Sequence, residues 1–514
     1  MAGKKPAGWP LPPLAAVLAI ALVLLTSASA QLPGTMRMSV SSSAAQANGH
    51  SFAAALSGDG RWVSFYSDAT NLVAGDTNGA RDVFVHDVQT GATTRASVGP
   101  GGAQANGPSF APAVSGNGRL VAFYSFASNV VPGDTNGVDD VFVRDLVGGR
   151  TTRVSLDSGG AQANGGSYSP TLSADGRFAA FTSDATNLVP GDSNNQRDVF
   201  VHDLQTGATE RVSVDSAGVQ GNLDSSSPSL SADGRFVAFS SFATNLVADD
   251  TNDGSDVFVR DRQTGTTTRV SVYNGGIEGD GDAFRPSISG DGRFVAFDSD
   301  MWDIVWGDTN DAFDVFVHDV QGNTTARASV DDTGAQAGGG SMRPSLSPDG
   351  RFVSFESEAS NLVAGDTNGA SDVFVHDNQS GATTRVSVDS AGAEGNNDSL
   401  RSSISADGRF VAFESQAANL VARDSNRFTD VFVRDTTAAP APPPPAPPAQ
   451  CRVPRVIGIR LATARSRIRK ANCRVGRVRR ARARRHVGRV VAQSPAAGAR
   501  LAKGAKVNLV VGRR

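Results

Sequence analysis

Cysteine is nearly missing from this chain. Two residues in 514 are too few for a disulfide-framework protein or a multi-cysteine metal cluster. Histidine is scarce at 6, and the 19% charged fraction is low for a disordered chain. No Gly-rich phosphate loop or nucleophile-elbow serine is present, which removes the usual sequence marks of nucleotide binding and acyl transfer. Past Leu25 no apolar run approaches the roughly 20 residues a membrane span needs. Acidic residues are missing altogether from 451–514, where 17 Arg and 3 Lys give +20. The remaining residues carry −23, so the net charge of −3 describes neither part.

The beginning reads as an export address. Lys4 and Lys5 precede an apolar stretch from Leu14 to Leu25, and Ala28-Ser29-Ala30 fits a small-residue cleavage site. Residues 1–30 are therefore expected to be a signal peptide, leaving a secreted, envelope-associated chain with no transmembrane span after cleavage. Oxidising surroundings then favour a Cys451–Cys473 disulfide.

Repetition dominates residues 36–436. The Phe of Asp-Val-Phe-Val recurs at Phe84, Phe142, Phe200, Phe258, Phe316, Phe374 and Phe432, always 58 residues apart. Each unit predicts four strands. In the fourth copy these are Pro228–Ser231, Arg235–Phe239, Asp256–Asp261 and Thr268–Val272, with a tight turn at Asp233-Gly234. The second and third strands are apolar on both faces, as sheets stacked face to face require. The Arg of the fourth strand falls at Arg95, Arg153, Arg211, Arg269, Arg327 and Arg385; its next position lies in a proline run, which cannot be a strand. One step back from Arg95 is Arg37, so Met36–Val40 supplies the missing strand. The expected fold is all-β: a seven-bladed β-propeller over 36–436, closed by its N-terminal strand. Ser231–Phe239 (Ser-Ala-Asp-Gly-Arg-Phe-Val-Ala-Phe) resembles the WD-repeat-like propeller unit of TolB-type proteins. That resemblance implies a scaffold, a partner-docking platform or an appendage of an enzyme.

Residues 437–450 form a proline-rich linker, expected to be extended. Beyond it, Leu461, Ala464, Ile468 and Ala471 make the apolar stripe of a short helix. Val-rich segments around Val475, Val478, Val487, Val490 and Val507–Val511 predict strands. Val453-Pro454, Gly458, Gln493-Ser494-Pro495, Gly498 and the final valine strand together resemble a PASTA domain, a small α+β module, over 451–514. The resemblance implies recognition of cell-wall peptidoglycan. Cys451 and Cys473 would join its first strand to the end of its helix. Arg477, Arg479, Arg480, Arg482, Arg484 and Arg485 are candidates for binding an anionic wall polymer; the export signal argues against nucleic acid.

Within the repeats, the loop before the third strand carries Asp-Thr/Ser-Asn-x-x-x-Asp. Asp76, Asn78 and Asp82, Asp134, Asn136 and Asp140, and Asp366, Asn368 and Asp372 are examples. Such loops offer calcium its oxygens, or form Asx-turn networks that cap the strand. Calcium is the one cofactor the sequence raises. His86, His202, His318 and His376 share a repeat position and read as strand residues. In the fifth copy Met301–Trp306 breaks the pattern, and Trp302 and Trp306 are candidates for stacking on a sugar or anchoring a protein partner on the propeller face. A residue repeated in every copy is structural, so no catalytic residue is assigned and a non-enzymatic binding protein is expected. The rivals are a propeller hydrolase of wall polysaccharide and a calcium-stabilised structural protein.

Overall fold

The computed structural model describes residues 34–437 and 450–514. The expected signal peptide and nearly all of the proline-rich linker lie outside the described residues. The chain divides into two compact units, Met1–Pro440 and Ala441–Arg514.

The first unit is built of seven four-stranded antiparallel sheets. One comprises Ser51–Leu56, Trp62–Ser67, Asp82–Asp87 and Thr93–Arg95 in meander order. The last comprises Ser399–Ile404, Phe410–Ser415 and Asp430–Asp435, and its fourth strand is Thr35–Arg37 from the N-terminal end. Met36 faces Val433 and Arg37 faces Phe432.

The double-sided apolar strands explain the stacking. In each sheet a Phe of the second strand lies against the Phe of Asp-Val-Phe-Val, as in Phe65–Phe84 and Phe239–Phe258, with centroids 5.9 and 5.8 Å apart. These rings are fully buried. Burial contributes roughly 1.5–3 kcal/mol for each. Between sheets, valines of one third strand meet the second-strand Phe of the next. Val141 and Val143 pack with Phe181, and Val431 and Val433 pack with Phe65. The last sheet thus rests on the first.

The Asp-Gly turn depends on glycine twice over. Gly60 has φ +71°, and a Cβ there would stand 2.3 Å from the ring of Phe410 in the last sheet. The adjoining Arg had no assigned role in the sequence. It forms a forked pair with the Asp that ends the third strand: Arg235 Nε and Nη2 donate to Asp261 at 3.0 and 2.7 Å. The same Arg lies over the Phe236 ring.

Strand ends differ modestly from expectation. The fourth strand of the fourth sheet is Thr266–Arg269, not Thr268–Val272, and the N-terminal strand is Thr35–Arg37, not Met36–Val40. Just past the Arg a serine hydroxyl bonds the first Asp of the third strand: Ser271 donates to Asp256 and Ser39 to Asp430. The first strand begins earlier than expected, at Ser225, with a β-bulge between Ser226 and Ser229.

In the second unit the helix is Leu461–Lys470, with Ala464 and Ile468 buried. Strand Lys506–Arg513 is central, flanked in parallel by Arg474–Arg482 and antiparallel by Val490–Ser494. Gln450–Arg452 pairs with Arg500–Ala502. Cys451 and Cys473 are disulfide-bonded, joining that first strand to the end of the helix. Among the described residues, no helix is long and apolar enough to cross a membrane.

Candidate functional site

The aspartate loops enclose a cation of their own. In the second repeat, Arg153 Nη1 lies 3.4 Å from Asp134 and 3.0 Å from Asp140. Its neighbour Asn136 donates to Asp140 at 2.9 Å and to Ala163 O at 3.1 Å. In the sixth, Arg385 Nη1 lies 3.1 Å from Asp366 and 3.2 Å from Asp372, and Asn368 donates to Asp372 at 2.9 Å while accepting from the Ala370 amide. In the first, Arg95 lies 3.2 Å from Asp82 and 3.9 Å from Asp76, and the Asn78 side-chain oxygen accepts from the Ala80 amide. Arg37 completes the pattern against Asp424 and Asp430. The fourth-strand arginine, noticed in the sequence only as a marker of the repeat, is the counter-ion. Burial pushes the carboxyls of Asp82 and Asp140 upward, against the downward pull of the serine hydroxyl and the arginine.

In the fourth repeat a third carboxylate joins. Asp250, Asp256 and Glu278 converge to within 4.8 Å, around Arg269. Burial raises Asp256 to about 7 and Asp250 to about 6. Most repeats have Gln at the Glu278 position.

The histidines are strand residues. His318 is buried in Asp314–Asp319, and its Nδ1 lies 2.9 Å from Thr325 Oγ1. That hydroxyl donates to Val272 O of the preceding repeat, so Nδ1 carries the proton. The same threonine link is made in every repeat, from Thr35 to Val388 and from Thr93 to Val40 among them. Arg260 and Arg434 do the histidine's work where it is replaced.

Trp302 and Trp306 are 61% and 95% exposed, whereas Met301 and Ile304 are fully buried. The break in the repeat therefore points both ways, two side chains inward and two outward.

A second group of repeat-breaking residues lies on the first and second strands, and sequence reading missed it. The sites equivalent to Tyr66 hold Tyr124, Thr182, Ser240, Asp298, Glu356 and Glu414; those equivalent to Ala53 include Arg285, Arg343 and Arg401. Each residue of the second series sits at the bulge with positive φ. In three successive sheets the exception is an ion pair: Arg285–Asp298, Arg343–Glu356 at 2.6 Å and Arg401–Glu414 at 3.7 Å. Glu356 also accepts the Arg401 amide, and Glu414 the Ala53 amide, both at 2.7 Å. In the first two sheets the Tyr66 series is aromatic, and its rings meet others on the first strands of the first three sheets. Phe52, Tyr66, Phe110, Tyr124 and Tyr168 form a continuous row with successive centroids 5.2–5.7 Å apart.

In the second unit all six predicted arginines are exposed, but they do not form one face. Arg477, Arg479, Arg480 and Arg482 alternate along an edge strand, and Arg484 and Arg485 lie in the following 3₁₀ turn. Charge on an edge strand also deters sheet-to-sheet association. Arg477 and Arg479 line a groove of about 340 Å³ with Gln493, Ser494 and Asn508.

Comparison with known proteins agrees with this division. Residues 452–513 match the PASTA domain family. A search of curated proteins finds no match. Among solved structures, an oligogalacturonate lyase from Vibrio parahaemolyticus is 13% identical, with TM-score 0.50, covering 79% of this chain and 94% of that one. A putative TolB from Agrobacterium tumefaciens is 18% identical, covering 69% and 97%, with TM-score 0.37. The β-propeller domain of the Trilobed protease from Pyrococcus furiosus is 11% identical, covering 76% and 96%, with TM-score 0.47. The first unit is thus a propeller-like all-β array. The second is a PASTA domain, and with its disulfide it points to an extracellular or envelope protein.

Proposed function

We propose that this chain is an exported, non-enzymatic binding protein, held at the cell wall by its PASTA domain while a closed seven-bladed propeller presents a ligand or partner site. Packing of the last sheet on the first, through Val431, Val433 and Phe65, supports closure. The absence of enzymatic activity is supported by the recurring carboxylates, which are engaged by Arg, Asn and Ser of their own repeat. Calcium is not required on this reading, because a guanidinium already bridges the loop carboxylates.

The observation that carries the tethering role is the PASTA match together with the exposed arginines beside the 340 Å³ groove. Retention of the mature chain on purified cell walls tests it. Retention is expected at physiological salt, with weakening as salt rises. Replacing Arg477, Arg479, Arg480, Arg482, Arg484 and Arg485 by Gln is expected to weaken it about tenfold or more. No retention of the parent chain, or equal retention of the variant, overturns the tether.

A further inference from the structure

Positions that serve only to hold a repeat protein together have no reason to differ between copies. The buried Asp–Arg–Ser sets are the same in every sheet, yet the Tyr66 and Ala53 series change chemistry by sector. Tyr66 and Tyr124 hold the first series in the first two sheets, where Phe52, Phe110 and Tyr168 of the first strands join them in one row, and ion pairs join both series in the last three sheets. The Ala53 series lies on the first strands and the Tyr66 series on the second strands paired with them. The two sectors meet where Glu414 accepts the amide of Ala53, next to Phe52.

We propose that this rim binds an uncharged glycan chain, with pyranose faces stacked on the row from Tyr66 to Tyr168 and sugar hydroxyls bonded by Asp139 and the flanking arginines. The inference rests on the non-enzymatic binding reading above and names the ligand class of its propeller site. The rings of Tyr66, Phe110, Tyr124 and Tyr168 are partly exposed, and their spacing is about the length of one sugar residue. Arg81 lies over the rings of Tyr66 and Phe110 at 5.7 and 5.6 Å, and Arg197 over Tyr168 at 5.6 Å. A guanidinium over one ring face keeps N–H donors at its edge for the hydroxyls of a sugar stacked on the adjoining rings. The named arginines already hold carboxylate counter-ions, which leaves them hydrogen-bond donors to a neutral ligand and not partners for an anion. Arg81 and Arg197 are paired with Asp68 and Asp184, and the three arginines of the opposite sector are paired as well. Asp139, beside Tyr124 and Tyr168, makes no salt bridge among the described residues and keeps its carboxylate for sugar hydroxyls.

Calorimetric titration of the mature full chain tests this, with β-1,4-linked hexamers of N-acetylglucosamine and of glucose as neutral probes and a galacturonate hexamer as the anionic one. At least one neutral hexamer is expected to bind, and the uronate is not. Tyr124→Leu keeps an apolar side chain but loses the ring, and is expected to cost about tenfold in affinity with an unchanged melting temperature. Asp139→Asn, which alters no packing, should also weaken binding. The double variant Trp302→Ala and Trp306→Ala should bind as the parent does. Binding of neither neutral hexamer, tighter binding of the uronate, or parent-like affinity in both rim variants overturns the proposal. The six-arginine variant separates this from the tether, since it should lose the wall and keep the oligosaccharide.

Discussion

Replacing Arg153 by Leu is the most direct test of the loop chemistry. Its side chain is 6% exposed and faces Asp134 and Asp140, themselves 5% and 0% exposed. Leucine preserves apolar bulk but leaves two carboxylates without their counter-ion. Removing one partner of a buried pair costs about 3–5 kcal/mol, and that is the loss expected at pH 7. The pH dependence distinguishes charge from packing. Burial already holds both carboxyls above their ordinary value while Arg153 pulls them down; without it they rise further. A carboxyl raised in the folded chain incurs no penalty below its unfolded pKa, and incurs it progressively as pH rises through the folded one. The stability gap between parent and variant should therefore be small at pH 3.5 and widen to its full size by pH 7. Urea unfolding followed by tryptophan fluorescence at those two pH values reads both. A gap under about 1 kcal/mol at pH 7, or one equally large at pH 3.5, would refute the counter-ion role.

Other parts of the molecule yield three more expected outcomes. His318 is lowered to about 4 by burial, and His86, His202 and His376 are lowered too. Buried neutral histidines favour the unfolded state as pH falls from about 6.5 toward 4, so a His318→Arg variant, copying Arg260, should flatten the acid-side fall of the melting temperature. Glu278→Gln supplies the residue most repeats use and relieves a site with three carboxylates and one arginine; it should raise the melting temperature at pH 8, and a fall there counts against the crowding argument. Chelator should leave the parent chain's melting temperature unchanged, whereas a tightly bound calcium would lower it on removal.

Periodic features were legible in the sequence because each is local and repeated. The 58-residue step, the third strand Asp256–Asp261, the N-terminal strand around Arg37, the helix stripe of Ala464 and Ile468, and the Cys451–Cys473 bond all follow from spacing and residue type. Pairings between strands were not legible. Arg235 and Asp261 stand 26 residues apart, and nothing in either neighbourhood marks them as partners until the meander brings their strands together. The aspartate loops showed their oxygens but hid their cation, which comes from the fourth strand. Trp302 drew attention because its exceptions are contiguous. Tyr66, Glu356 and Arg401 are isolated exceptions in separate copies, and only a column-by-column comparison of the repeats would have set them side by side.

That contrast has a physical basis. A stacked array fixes its strand geometry through residues that must be the same at every interface, because each sheet meets neighbours of the same shape. The Phe65–Phe84 pair, the Gly60 approach to Phe410 and the Thr93 link to Val40 are constraints of this kind, and altering one disturbs a junction. The rim is different. The bulge at Ala53 turns that position away from the ladder, so its side chain can change from methyl to guanidinium without moving the backbone, and Arg285, Arg343 and Arg401 share the same positive φ as Ala53. Freedom of that sort is where a repeat fold can acquire a site without losing its frame. The three ion pairs occupy that freedom, and the aromatic row runs beside it through Phe52, Tyr66 and their equivalents, apart from the aspartate sets that every sheet repeats.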